Sequence, residues 1–479
     1  MRTVNKLSIA LTAVLLSIMT GCEKSDSYME GDDIVPSGYL VDIYESEYFA
    51  NSEELVDYID SLMALVLGNE LANIFGLKIE TELARVEFRN YLDVGINPDY
   101  SSKLAFELHR FRYRTVNPSG NPIILSGTLV MPNNTDDSRK YEMDHVSLFN
   151  EAMFVGKDIM PFRGVAGYFR VMYNSLVVVP DLQGYGITAT LPKVDFAYIN
   201  GCQSIDCEMA ALEVVRLRGA SLKKGYGTYL MGVSKGAFTT LSAHKYLETE
   251  APAEKLKAVN PIGSVCSGAP SDISAMLDYY LNIGETNNIV ALSIVVNSLY
   301  YASPDFFAGY KLEDLFSDKY NKSEYALKTY GCTLNELICS MELSYDELLD
   351  VCRKSGITSM ADIFNSAMFN GDGSVNTSDK LYQTIKKAAE CNNPMTGWTP
   401  SYCKCIIKHS IGDDVIPYQM AFDSYRKMSL YGRTVPNEKV IFKEGYLMGH
   451  ILNSMKDELL LFMTKDPLSD CRDENPESF

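Results

Sequence analysis

Beyond Met19 this 479-residue chain has no apolar run long enough to cross a bilayer. It has no basic excess either: 43 lysines and arginines stand against 62 aspartates and glutamates, a formal charge of −19. Binding to phosphate needs a basic face, so this balance argues against nucleic acid or anionic lipid as a partner. The acidity reads as a source of solubility. No segment repeats at a fixed period, which argues against a solenoid or a propeller. Histidine is scarce. Any imidazole base or metal ligand must come from His109, His145, His244, His409 and His450.

What is present begins at the N-terminus. Arg2 and Lys6 precede an apolar run from Leu7 to Met19, and Thr20-Gly21-Cys22 closes it. The run is too short for a membrane span and reads as a secretory signal over residues 1–21. Gly21 directly before Cys22 resembles the bacterial lipobox, which implies that Cys22 is diacylated and becomes the first residue of the mature protein. A plain signal peptide with an incidental cysteine is the alternative. The lipobox reading places the protein in the cell envelope, anchored to the outer membrane of a Gram-negative bacterium and facing the periplasm or the cell surface. Loss of Arg2 and Lys6 takes the charge from −19 to −21. Residues 22–37 are polar and acidic and read as a tether.

Eleven cysteines leave ten once Cys22 is set aside, an even number that permits five disulfides in an exported protein. Cys202 with Cys207, and Cys332 with Cys339, are the short-loop candidates. Cys403 and Cys405 fall on one face of an expected strand, where a bond between them would be strained. Zinc is the competing use of such pairs, with His409 the nearest histidine in sequence. No cofactor and no metal is expected.

The pattern of apolar residues divides the chain. Ser52-Glu53-Glu54 before Leu55, Ile59, Leu62, Leu65 and Val66 is a capped amphipathic helix, and a second helical stretch runs through Phe75, so 38–104 reads as an N-terminal helical segment. Alternation over Phe111–Val116, a turn at Asn117-Pro118-Ser119-Gly120 and a strand from Ile123 to Met131 make a hairpin. Buried-strand runs follow at His145–Phe149, Ser175–Val179 and Thr228–Val233, with a helix at Glu208–Leu217. Apolar strands alternating with helices predict an α/β fold with a mostly parallel sheet covered on both faces. From about 270 to 400 the pattern is helical, with capping boxes at Thr333/Glu336 and Ser344/Glu347. Strand signals return at Cys405–Lys408 and Lys439–Phe442, before a last helix from about Ile451 to Met463. The expected partition is a catalytic core over 105–269 and 401–465, a helical cap over 270–400 and an acidic tail over 466–479.

Gly232-Val233-Ser234-Lys235-Gly236 is a G-x-S-x-G motif lying between a strand and a helix. That context demands small residues, because the serine occupies a tight strand-to-helix turn that exposes Oγ and aims the helix N-terminus at a developing oxyanion. Ser234 is the candidate nucleophile. It needs a base, and the base needs an orienting acid. His450 follows the last strand signal on a loop before the final helix, where open parallel sheets place their sites. His109 precedes the hairpin, His145 opens a strand and His244 sits within the helix after Ser234, facing away from its Oγ. The acid lies in His409-Ser410-Ile411-Gly412-Asp413-Asp414-Val415-Ile416-Pro417, as Asp413 or Asp414. The order serine, acid, histidine matches neither the chymotrypsin nor the subtilisin arrangement.

These residues resemble the α/β-hydrolase superfamily, in which a segment of the form H-G-x-x-D-x-x-V-P recurs after the strand that carries the acid. Matching Ile416 and Pro417 to it implies Asp413 as the acid and His409 as a structural histidine, with Ser410 where the family often has glycine. More narrowly the chain resembles the cap-bearing secretory-lipase and esterase group. The matching pieces are Tyr113-x-Thr115, Ser126-Gly127, Pro132, Pro180-Asp181-Leu182-Gln183-Gly184-Tyr185-Gly186 and Trp398-Thr399-Pro400. They cover about residues 105–270 and 398–463. Asp181 reads as structural. The resemblance implies an oxyanion hole made by the backbone N–H of Lys235 and one from the loop after the His145–Phe149 strand. Many relatives have His-Gly there, whereas this chain has Asn150-Glu151-Ala152, with Asn150 the first choice and Glu151 the second.

A carboxylic-ester hydrolase acting on a small-molecule or carbohydrate-linked ester accounts for all of these features. A peptidase of the prolyl-oligopeptidase type shares the chemistry, but only about a hundred residues precede the core and no blade repeat of ~40–50 residues is found in them. A ligand-binding lipoprotein with a degenerate site is the third reading, kept open by Asn150-Glu151. Tyr279-Tyr280 and Tyr300-Tyr301 suggest either a stacking pocket in the cap or plain helix packing.

Overall fold

A computed structural model describes residues 37–49, 105–133, 142–152, 174–283, 289–343, 345–445, 450, 457, 461 and 466–468. The signal and tether, Cys22, the helices expected near Leu55–Val66 and Phe75, and the box at Ser344 lie outside the described residues. So does most of the expected final helix, of which Asp457 and Leu461 are helical; His450, expected on the loop before it, is helical as well.

The described residues form a nine-stranded sheet in the order β1-β2-β3-β5-β4-β6-β7-β8-β9. Its strands are β1 (Leu40–Phe49), β2 (Ala105–Val116), β3 (Pro122–Asn133), β4 (Glu142–Asn150), β5 (Ser175–Pro180), β6 (Ser221–Val233), β7 (Pro261–Ser267), β8 (Lys404–Ser410) and β9 (Val440–Gly445). The expected hairpin is β2 and β3, and β3 pairs antiparallel with β5. From β5 to β9 every pairing is parallel. The strands at the centre have almost no exposed side chain, as a sheet covered on both faces requires.

Two expectations change. Residues 40–49 fall in the segment expected to be helical, but they form an edge strand antiparallel to β2. Its pairing is reinforced by the Arg112 guanidinium, which grips the Asp42 carboxylate with Nε 2.6 Å from Oδ1, and by Glu213 Oε1, which accepts the Tyr39 N–H at 2.7 Å. Strand pairing with β2 outweighs the local pattern, which holds little apolar alternation. The second change concerns cysteine. None of the nine cysteines described is bonded to another. Cys202 and Cys207 lie five apart on one helix, roughly 140° around its axis. Cys207 packs on Gly127 while Cys202 donates to Asp206. Cys332 and Cys339 stand at opposite ends of the helix Leu334–Ser340, beyond disulfide reach.

Helix α1 (Asn200–Leu217) extends the expected helix by two turns and buries Ile205, Met209, Ala210, Leu212 and Val214 against the sheet. Helix α2 (Lys235–Thr249) follows β6 directly, and α3 (Ala253–Val259) leads to β7. Between β7 and β8 the chain is helical, with α4 (Ile273–Ile283), α5 (Ile289–Ala302), α6 (Asp318–Asn321), α7 (Glu324–Tyr330), α8 (Leu334–Ser340), α9 (Tyr345–Lys354), α10 (Met360–Ile363) and α11 (Lys380–Cys391). The Thr333 box forms: the Glu336 N–H donates to Thr333 Oγ1 and the Glu336 carboxylate accepts the Thr333 N–H. These helices have their own apolar core, including Leu277, Val296, Leu299, Leu315, Phe364 and Ile385. Tyr280 belongs to it and Tyr300 packs against it, so those two tyrosines serve helix packing. The core reaches the α/β layer through Phe238 of α2, which meets Phe196 edge-on at 5.7 Å. Helix α12 (Tyr418–Ser429) joins β8 to β9.

The helical block sits over the carboxyl ends of the parallel strands. Lys193, on the segment after β5, donates to the Cys339 carbonyl at 3.0 Å, and the Tyr280 hydroxyl donates to the Val415 carbonyl beyond β8.

Candidate active site

Strand β6 runs apolar and buried to Val233, and the backbone then turns at once into α2. Ser234 occupies that turn with φ 54° and ψ −123°, one of the few positive-φ residues other than glycine among those described. A serine in that region is strained, and strain of this kind persists only where surrounding contacts over-determine the backbone. Here the Ser234 N–H donates to the Ser267 carbonyl at 2.8 Å, and its own carbonyl accepts from Ala237 and Phe238. The motif glycines make the turn possible. A Cβ on Gly236 would lie 1.9 Å from the Asn150 carbonyl oxygen, so the loop after β4 packs directly on the turn.

The structure brings the three sequence-predicted side chains into one chain of contacts. Ser234 Oγ lies 2.8 Å from His450 Nε2, and His450 Nδ1 lies 2.8 Å from Asp413 Oδ2. The other Asp413 oxygen accepts the N–H groups of Val415 at 3.0 Å and Ile416 at 2.7 Å. Burial alone would raise the Asp413 pKa. The His450 imidazole, His409 and the Ile416 N–H outweigh it and hold the carboxyl below its ordinary value. The neighbouring Asp414 is exposed, and its carboxylate accepts the backbone N–H of His450 at 2.8 Å. Both aspartates therefore touch His450, one at the ring and one at the main chain. The second contact leaves no signal in a sequence.

His409 is buried with Nε2 2.8 Å from the Ile416 carbonyl, and burial lowers its pKa. A neutral ring donating to that carbonyl braces the loop bearing Asp413. Asp181 is likewise structural: its carboxylate accepts the Ser126 hydroxyl at 2.5 Å, and its carbonyl accepts the Tyr113 hydroxyl at 3.2 Å. Gly186 has φ 53°, and a Cβ there would meet Ser126 Oγ at 2.1 Å. Tyr113, Ser126, Asp181 and Gly186 thus form one knot.

The Asn150 carboxamide accepts from Ser204 Oγ at 2.7 Å and donates one N–H to Thr240 Oγ1 at 3.1 Å. Lys235 is buried. Its Nζ lies 4.7 Å from the Tyr185 ring centroid and 3.7 Å from Asp195 Oδ1, which also accepts the Tyr185 hydroxyl. Asp457 carries no sequence signal, yet it supports the turn: it accepts the hydroxyl of Ser267, the residue whose carbonyl holds Ser234, and pairs with Lys408 at 3.1 Å.

A mixed, mostly parallel sheet of this order, a serine at a strand-to-helix turn after its third parallel strand and a helical block inserted after β7 define the architecture. The chain has the α/β-hydrolase fold. Neither a family model nor a curated protein sequence matches it. Among solved structures, a ligand-bound form of the rice cell wall degrading esterase LipA from Xanthomonas oryzae is similar with a TM-score of 0.59 at 15% identity, over 91% of this chain and 98% of that one. A mutant form of the same esterase is similar with a TM-score of 0.57 at 17% identity, covering 78% and 92%. A structure from Legionella pneumophila gives 0.58 at 18% identity, covering 81% and 95%. At such identities the likeness is one of fold, and this α/β-hydrolase chain must be read functionally from its own side chains.

Proposed function

We propose that this protein is an exported, lipid-anchored serine hydrolase that cleaves carboxylic esters. The observation that carries the reading is the strained Ser234 with Oγ 2.8 Å from His450 Nε2, whose far nitrogen is 2.8 Å from Asp413. In the reaction Ser234 Oγ attacks the acyl carbon while His450 Nε2 takes its proton. Asp413 holds the imidazole in the tautomer that can do so and stabilises the resulting cation. The tetrahedral oxyanion is met by the Lys235 N–H at the start of α2 and by backbone of the Asn150-Glu151 loop. Collapse expels the alcohol carrying the proton from His450. Water then repeats the sequence on the acyl-serine and releases the acid. A small-molecule or carbohydrate-linked ester is the proposed substrate class, supported by the similarity to an esterase described as degrading rice cell wall.

Purified protein beginning after Cys22, treated with a fluorophosphonate probe and assayed on short and long acyl esters and on aminoacyl amides, tests this. Labelling and ester turnover are expected, with Ser234→Ala abolishing the label and lowering turnover by about 10⁴-fold or more. An unlabelled wild type, or labelling that survives Ser234→Ala, would refute the proposal. Turnover of amides without esters would make it a peptidase. For the anchor, labelled palmitate should enter wild type and vanish in Cys22→Ser; no label in either would remove the lipidation proposal.

A further inference from the structure

On α2 the side chains of His244 and Glu248 lie one turn apart, the ring fully buried and the carboxylate nearly so. The segment before β8 folds its backbone onto that carboxylate. Glu248 accepts the N–H groups of Ser401 at 2.6 Å, Tyr402 at 2.9 Å and Cys403 at 3.3 Å, and the Ser401 hydroxyl at 2.9 Å. This sets Cys403 Sγ 3.3 Å from His244 Nε2, the same nitrogen that lies 2.9 Å from Glu248 Oε1. His244 Nδ1 is already placed, 2.8 Å from Ser264 Oγ.

One ring nitrogen thus faces a thiol and a carboxylate together, and a single N–H serves only one of them. The three donor atoms all lie within 4.8 Å of one another. Zinc bound tetrahedrally at ~2.0–2.3 Å from such atoms separates them by roughly 3.3–3.6 Å, against 3.3 Å from sulfur to nitrogen and 2.9 Å from nitrogen to oxygen here. The charges also fit: a thiolate and a carboxylate cancel a divalent cation, leaving a neutral buried group. Mixed sulfur, nitrogen and oxygen donors favour zinc over magnesium or calcium.

We propose that His244, Glu248 and Cys403 form a zinc site that staples the helix following Ser234 to the strand leading to Asp413. On binding, Cys403 loses its thiol proton and His244 Nε2 gives up any proton it holds, both to solvent, leaving a neutral ring whose remaining proton sits on Nδ1 and is donated to Ser264. The Ser401 and Tyr402 N–H groups orient the carboxylate, as outer partners do in zinc sites. Cys405 interacts with the same imidazole and with Ser264 and Cys266, and is not one of the three proposed donors. The site makes no contact with reacting atoms and stands independently of the proposed esterase activity.

The test uses the tag-free protein, incubated with zinc, dialysed and analysed for metal by mass spectrometry. Wild type and Cys405→Ser should each hold about one zinc per chain, and Cys403→Ser and Glu248→Gln less than about 0.1. Cobalt in place of zinc should give a thiolate charge-transfer band in the near ultraviolet, kept in Cys405→Ser and lost in Cys403→Ser. Chelation should lower the Tm of wild type. A wild type that takes up neither ion overturns the proposal, as does zinc lost from Cys405→Ser but kept by Cys403→Ser. If Cys403→Ser does not fold, the cobalt spectra of wild type and Cys405→Ser decide: the band in both supports the site, and its absence from either overturns it.

Discussion

At the scale of single residues, two adjacent aspartates hold one histidine by different atoms. Asp413 faces the ring nitrogen and Asp414 the main-chain N–H. Replacing the first disturbs the tautomer and the cation formed in the reaction. Replacing the second removes one exposed contact that water can substitute. Asp413→Asn is therefore expected to lower kcat by about 10⁴-fold with little change in KM, and Asp414→Asn by less than about 10-fold. Steady-state kinetics on a short acyl ester would check this, and equal effects would mean that the ring contact is not the important one. The sequence narrows the acid to these two positions, and the choice of Asp413 came through resemblance. Which carboxylate reaches Nδ1 depends on how the loop turns after β8, and that is set by the N–H groups of Val415 and Ile416 closing on Asp413.

At the scale of elements, α1 carries a carboxylate into the sheet. Glu208 is fully buried with one oxygen accepting the Thr228 hydroxyl of β6 at 2.6 Å and the other without a partner. Burial pushes its pKa from 4.5 up to about 8. Between those values the folded chain keeps a proton that the unfolded chain has released. Stability from this group is thus complete below about pH 4.5 and is lost as the pH rises through about 8. Glu208→Gln keeps the shape without the titration. Thermal melts should show the variant and wild type alike in acid, with the variant gaining a few degrees in Tm at the upper end of that window. A constant difference across the range would refute a buried, titrating Glu208. Elements with strong apolar signals, such as β5 and the end of β6, were legible because burial on both faces leaves an uninterrupted run. β1 was not, because an edge strand needs only a partner's free edge and little apolar surface of its own.

At the scale of the molecule, two layers share one residue of the helix that follows Ser234. Phe238 is four residues beyond Ser234 and belongs to the apolar core of the inserted helices. Phe238→Ala opens a cavity at that junction and should cost about 3–5 kcal/mol. Because the cavity adjoins the first turn of α2, ester turnover should fall as well. Leu299→Ala, deep among the inserted helices, should cost ~2–5 kcal/mol with a smaller effect on turnover. Denaturant unfolding and kinetics on both variants would separate the effects. A loss of turnover with Leu299→Ala as large as with Phe238→Ala would mean that the block acts on the site through its general stability.

The sequence by itself determined the G-x-S-x-G turn at Ser234, the chain order of Ser234, Asp413 and His450, and the alternation that builds a mostly parallel sheet. Each is encoded locally, in a strand, a tight turn or a loop whose residues are neighbours in the chain. Only the tertiary structure decided which groups meet across it: Asp414 on the His450 N–H, Asp457 on Ser267, and Cys403 beside His244 and Glu248. The last case shows the reason most plainly. Counted along the chain, the nearest histidine to the cysteine pair is His409. Strand β8, however, carries its start to one end of the sheet beside α2 and its own His409 toward the site at the other, so the imidazole that reaches Cys403 comes from 159 residues away.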